Sequence, residues 1–397
     1  MKKETVPTSE SWLNKTTFGI GLTSLFSDWS HEIATAVLPA FLISLGAGAA
    51  WLGLIEGLAD GLSSVTKLIA GHYTDRFHRR KPLILAGYAL TTVATGTLAL
   101  ATNTTHVLIS RATAWLGRGA RTPGRKALLA AAVPAKAYGR AFGLERLMDT
   151  TGAIAGPLSA FWLLRHYQGN YAPVFVWTLL PGLLAVVCFA IFVREQPSRL
   201  LIRQPFWTSL RNLPPRFRRF LIAVGIFGAG DFSHTLLIFY ATQMLAPELG
   251  TLAAAGVAMG FYVLHNVFYA LFAFVAGWLG DRVSRPRVLA AGYALAGLTV
   301  LLLVAGVRTP LLLGAVFILA GIYVGTEEAL EDSLAAELVP HSQHGVAFGT
   351  LAAVNAVGDF VSSLAVGWLW SAYSPAVAFG VAGLLFFVGA ALVLRVR

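Results

Sequence analysis

Gly71-His-Tyr-Thr-Asp75-Arg76-Phe-His-Arg79 returns later in the chain as Gly277-Trp-Leu-Gly-Asp281-Arg282-Val-Ser-Arg285, with Asp75 and Asp281 206 positions apart. A second pair keeps that offset. Val133-Pro134, Gly139 and Ala141-Phe-Gly143 match Val339-Pro340, Gly345 and Ala347-Phe-Gly349. A third pair, Asp28-Trp-Ser-His31 and Asp231-Phe-Ser-His234, lies 203 apart, so the connection after the first apolar stretch is three residues shorter in the first half. The chain is thus one design written twice.

The material between these landmarks is made for lipid. Of 397 residues, 56% are hydrophobic and 12% charged, with a mean hydropathy of +0.68. Soluble domains carry roughly twice that charged fraction. Crossing a bilayer takes about 20 mostly apolar residues in a helix. Twelve such stretches occur, near 17–45, 50–72, 82–101, 106–131, 141–165, 171–193, 219–245, 251–280, 288–306, 310–338, 345–371 and 375–395. They are too long and too continuous for β-barrel strands, which alternate. The expected fold is therefore an all-α membrane protein of twelve transmembrane helices in two pseudo-symmetric six-helix bundles. Residues 1–193 and 219–397 form the halves, and 194–218 a basic linker.

The net charge of +11 does not point to nucleic acid, because it is concentrated in connections. Residues 194–219 hold seven Arg against the single acid Glu195, and the repeated turns are basic as well. Connections 45–50, 101–105 and 371–375 contain no Lys or Arg. The positive-inside rule puts the basic turns and both termini in the cytoplasm, which fits an inner (cytoplasmic) membrane protein. Asp28, His31 and Glu32 exclude a cleaved signal sequence around the first stretch. The lone Cys188 excludes a disulfide framework or a cysteine metal site.

G-x-x-x-D-R-x-x-R, present in two copies, resembles the loop signature of the major facilitator superfamily, and Gly156-Pro157 within 152–160 is similar to part of the antiporter motif of its exporters. The resemblance implies secondary transport by alternating access, with every third span peripheral. The sequence agrees independently. Stretches 3, 6, 9 and 12 carry no Asp, Glu, Lys, Arg or His in their apolar cores, as suits helices facing lipid. No G-x-x-x-x-G-K-[ST] phosphate loop is present, so ion gradients, protons first, are the expected energy source. The expected partners are the bilayer, protons and a small-molecule or ion substrate, with no cofactor and no second copy of the chain.

The candidate site follows from ionisable residues inside the apolar stretches. Residues three and four apart share a helix face, which groups Asp28 with His31 and Glu32, and Asp231 with His234. The resemblance puts both groups beside a central cavity. They suit proton relay, since His titrates near pH 6.5. Asp28, His31, Asp231 and His234 also suit Fe(II), Mn(II) or Zn(II). Arg118, Arg121 and Arg125 share a face of the fourth stretch, and a guanidinium grips carboxylate or phosphate with two bonds. Arg118 is the expected anchor for an anionic substrate group. Asp149, Asp359 and His265 complete the substrate and proton candidates; the last two have alanine at their repeat positions. Glu327 and Glu331 stand opposite Arg121 and Arg125 at the repeat offset; with the superfamily's alternating access this implies a cytoplasmic gate of paired charges that meet when the protein opens outward and separate when it opens inward. Asp75, Arg76, Arg79, Asp281, Arg282 and Arg285 are the expected hinge and latch. The function expected is proton-coupled movement of a small organic anion or metal chelate. A divalent-metal transporter, a drug exporter and a membrane metalloenzyme stand behind it.

Overall fold

The computed structural model describes residues 13–74, 80–133, 138–195, 213–339 and 344–396. They form helices and short turns, with no strand among them. In lipid each backbone N–H and C=O must find a partner within the segment, and a helix provides it. In chain order these are α1 (Lys15–Ser44), α2 (Ala49–Thr74), α3 (Lys81–Gly96, extended by a 3-10 turn Thr97–Leu100), α4 (Thr104–Ala131), α5 (Tyr138–His166), α6 (Tyr171–Trp177) and α7 (Leu179–Phe192). The second half contributes α8 (Pro215–Gly228), α9 (His234–Leu249), α10 (Thr251–Arg282), α11 (Arg285–Val304), α12 (Pro310–Leu338), α13 (His344–Ala372) and α14 (Pro375–Val393). Each expected stretch falls on helix over most of its length, the seventh interrupted at 229–233. Seven helices among the described residues are long and apolar enough, by composition, to cross a membrane. Leu311, Leu100 and Phe274, 83%, 76% and 76% exposed, belong to the apolar outer surface that lipid covers.

Local chemistry sets the helix ends. Asn14 opens α1 by accepting from the backbone of Thr16 and Thr17, both at 3.0 Å. Gly250, at φ 80°, closes α9 and opens α10 in one residue, a backbone state that only glycine adopts without strain. Glu195, the one acid of the basic linker, accepts from the backbone of Arg80 (3.0 Å) and Lys81 (2.8 Å) and so caps α3.

Small residues set the close crossings. A Cβ on Gly156 would lie 2.3 Å from Glu32 Cβ, so α1 and α5 pack almost backbone to backbone. The seam between halves is built by α1, α2 and α5 against α9, α10 and α13. Helices α3, α7, α11 and α14, whose apolar cores carry no Asp, Glu, Lys, Arg or His, stay out of it. Asn14 Nδ2 donates to Ala132 O (2.8 Å), which puts the start of α1 and the end of α4 at one end of the molecule, the basic end. At the opposite end one continuous apolar core joins Ile33–Leu42 of α1 to Leu236–Leu245 of α9 and Ala254–Tyr262 of α10. The halves are therefore sealed there.

One expectation about local structure fails. Asp231 and His234 do not share a helix face, because the rod is broken between Gly228 and His234. Gly228 and Gly230 weaken the helix, and α13 offers substitute partners. Ser362 Oγ donates to Asp231 O (2.6 Å), and Ser363 Oγ accepts from Ser233 N (3.0 Å). Irregular backbone survives at membrane depth only where protein satisfies it in this way. Gly277 of the repeated turn makes no close helix crossing: a Cβ there would meet nothing within 4 Å.

Candidate functional site

Between the halves, toward the basic end, lies a cavity of about 570 Å³. Its first-half wall is α4, presenting Arg118, Arg121, Arg125 and Lys126, with Lys67 of α2 and Arg146 of α5 beside them. Its second-half wall is α12, presenting Glu328, Glu331 and Asp332.

The three arginines of α4 have different partners. Arg118 Nη2 lies 3.1 Å from Asp28 Oδ1, and its Nη1 is buried without a hydrogen bond. Arg125 pairs with Glu145 at 2.6 Å and donates to Ser24 Oγ at 2.7 Å; that hydroxyl in turn donates to Asp149 at 2.7 Å. Arg121 is 4% exposed and stands over the Tyr88 ring at 4.0 Å, with no acid in contact among the described residues. Burying a guanidinium without a counter-ion is costly. Arg121 is thus a buried, uncompensated cation of the wall, where the sequence pointed to Arg118. The missing signal was Tyr88, which lies in a helix with a charge-free apolar core. Deeper in the same half, Arg111 donates to both oxygens of Glu56 (3.2 Å each) and to Thr35 (3.1 Å). Both oxygens of Glu56 are matched by Arg111, which makes the pair a structural strut.

The Asp-x-x-His groups come apart. Asp28 goes to Arg118, whereas His31 turns to Thr35 (3.4 Å) and the edge of Trp115. Glu32 crosses the seam and accepts from the Tyr262 hydroxyl at 2.9 Å; the same hydroxyl lies 2.9 Å from His234 Nε2. His265 stacks nearby, with both ring nitrogens buried and unpartnered. No group of three or more His, Cys, Asp and Glu able to hold a metal ion occurs among the described residues. The metal site expected from Asp28, His31, Asp231 and His234 is not formed. A helix break and a separate arginine partner pull its members apart. Tyr262, which ties Glu32 to His234, had no repeat or motif to reveal it.

The second half gathers acids. Asp231, in the break, accepts from Tyr323 at 3.4 Å and has Glu327 beside it. Glu331 accepts from Tyr293 and, at 2.7 Å, from Asn355. Asp359, on α13, has no hydrogen bond or ion pair at its carboxylate among the described residues. No Lys or Arg makes an ion pair with Asp231, Glu327, Glu331 or Asp359 among the described residues.

The expected gate is not made in this arrangement. Arg121 and Arg125 do not meet Glu327 and Glu331 here, because α4 and α12 stand on opposite walls of the open cavity; Arg125 is held by Glu145, and Glu331 by Tyr293 and Asn355. A different ion pair crosses the seam: Arg146 of α5 with Glu328 of α12, and Tyr269 donates to the same carboxylate. Arg285 binds Glu337 at 2.8 Å and Arg282 stacks over Trp278 at 4.0 Å, so both hold the α10–α11 turn within its own half. Asp75, Arg76 and Arg79 lie outside the described residues, as does the side chain of Asp281.

Comparison with known proteins agrees with this architecture. The family model described as Major Facilitator Superfamily matches residues 20–243 and 224–397. An uncharacterized MFS-type transporter, MJ1317 of Methanocaldococcus jannaschii, is 28% identical over 370 residues, covering 92% of this chain and 91% of that one. Multidrug resistance protein MdtH of Photorhabdus laumondii is 25% identical over 349 residues, covering 84% and 82%. Among solved structures, a bacterial homolog of the human lysosomal transporter Spinster, inward-facing and occupied, superposes with a TM-score of 0.75 at 15% identity, covering 96% of each chain.

Proposed function

The chain belongs to the major facilitator superfamily, and from that premise we propose that it is a proton-coupled carrier of a small organic anion. As a member of a transporter superfamily it moves small molecules across a membrane and is not an enzyme. The observation that carries the substrate reading is Arg121. A buried cation with no acid partner, on the wall of a cavity between two halves, has the chemistry of a site for a substrate anion. Arg118 Nη1, buried and unpartnered in the same wall, offers a further donor.

The proton reading rests on the acids of the second half. Asp231, Glu327 and Glu331 are acids with no ion pair, and such groups at membrane depth take a proton or a cation. Asp28, held by Arg118, is the less available of the original candidates. The basic end faces the cytoplasm of the inner membrane, with both termini there, by the charge asymmetry of the connections. The cavity and its seals are complete within one chain, so a monomer suffices. A second reading, export of amphiphiles, rests on relatives named as multidrug resistance proteins. The charged lining of the cavity ranks it second.

In proteoliposomes with an imposed pH gradient, the wild type accumulates organic anions. Asp231→Asn combined with Glu331→Gln abolishes gradient-driven uptake and leaves exchange between equal pools. Gradient-driven uptake by that double variant at the wild-type rate refutes the coupling site, and transport of amphiphilic cations in place of anions refutes the substrate class.

A further inference from the structure

The cavity has two electrical poles. All of its cations come from the first half, six Lys and Arg against three acids; the second half contributes three acids and no cation. Asp28, Glu145 and Asp149 of the first half are already tied to Arg118, Arg125 and Ser24. What the first half leaves for a ligand is therefore positive, centred on Arg121, and what the second half leaves is negative.

The free acid can be identified. Glu328 is held by Arg146 and Tyr269, and Glu331 accepts from Tyr293 and Asn355. Asp332 lines the cavity next to them, with no hydrogen bond or ion pair at its carboxylate among the described residues. Lys126, its counterpart at the repeat offset, also lines the cavity without an ion pair. The two charges thus attract across the gap without closing it.

From this polarity we infer that the substrate is a zwitterion, its carboxylate or phosphate on Arg121 and Arg118 and its ammonium on Asp332. The inference rests on the anion reading above and narrows it. A simple anion leaves the acid wall uncompensated and is repelled by it. A molecule with both charges satisfies both walls and draws the halves together. A bound zwitterion also spans from α4 to α12, the two elements that must approach when the basic end closes, so occupancy favours closure.

Binding to the purified protein in detergent tests this with matched probes. Alanine and alanyl-alanine carry both charges, their N-acetyl forms only the anion, and their amides only the cation. The zwitterion is expected to bind at least tenfold tighter than either partner of its series. Asp332→Asn should remove its advantage over the acetylated form, and Arg121→Gln its advantage over the amide. Asp332 is exposed, so its variant is readable even if Arg121→Gln folds poorly; Arg121→Lys then serves as the conservative control. Acetylated probes binding as tightly as zwitterions overturn the inference and leave the anion reading standing. Amides binding as tightly as zwitterions overturn both. Binding of none of the six probes also counts against the zwitterion class, and the transport assay with organic anions then decides the anion reading alone.

Discussion

Tyr262→Phe removes one oxygen from the sealed end of the molecule and leaves nearly everything else in place. The ring stays stacked on His234, whose centroid lies 4.8 Å away at 13°. Lost are the 2.9 Å bond to Glu32 Oε2 and the 2.9 Å contact with His234 Nε2. Glu32 is 8% exposed and Tyr262 2%, so water does not readily replace the hydroxyl while the ends are joined. A hydrogen bond to a charged group contributes about 1.5–3 kcal/mol. The bond joins α1 to α10 across the seam, so its loss falls on the arrangement in which that end is shut. When the ends separate, both groups reach water and the hydroxyl is not needed. Each 1.4 kcal/mol is tenfold in an equilibrium, so the open population at this end should rise about 10- to 100-fold. Met259 lies three residues from Tyr262 and three from Gly256, which packs on Phe161 of α5, and it is 1% exposed. Met259→Cys in a Cys188→Ser background therefore reports the opening through its labelling rate with an impermeant maleimide from the side opposite the basic end. The rate should rise by the same factor in Tyr262→Phe. An unchanged rate in a folded, transport-competent variant would refute the idea that this hydroxyl holds the halves together.

Two further outcomes follow from the ion pairs. Arg111→Met strands Glu56, whose side chain is 3% exposed, and should destabilise the protein by about 3–5 kcal/mol in thermal unfolding; adding Glu56→Gln should recover part of it. Arg146→Glu should disturb transport by repelling Glu328 across the seam, and Glu328→Arg should restore it. Because both side chains are about half exposed, the effect on stability should stay within about 1 kcal/mol.

Much of the molecule was legible from residues alone, because lipid leaves the chain few choices. Long apolar stretches must be helices, the 206-residue repeat sets two equivalent halves, and stretches with charge-free cores belong outside the seam. The cationic face of Arg118, Arg121 and Arg125 was legible too, since helical spacing fixes it. Pairing across helices was not. The offset that relates Arg125 to Glu331 describes symmetry between halves and says nothing of the neighbours each has in its own bundle, where Arg125 found Glu145 and Glu331 found Tyr293 and Asn355. The same offset could not show that Gly228 and Gly230 would break the second Asp-x-x-His segment, because helical spacing assumes a continuous helix. That break depends on Ser362 and Ser363, about 130 residues away, arriving to satisfy the opened backbone. Nor could any pattern reveal that Tyr88 would stack on Arg121, or that Tyr262 would join Glu32 to His234. Sequence fixes what a helix must bury and on which face. Which buried charge keeps a partner and which is left for a substrate is decided only when the helices cross.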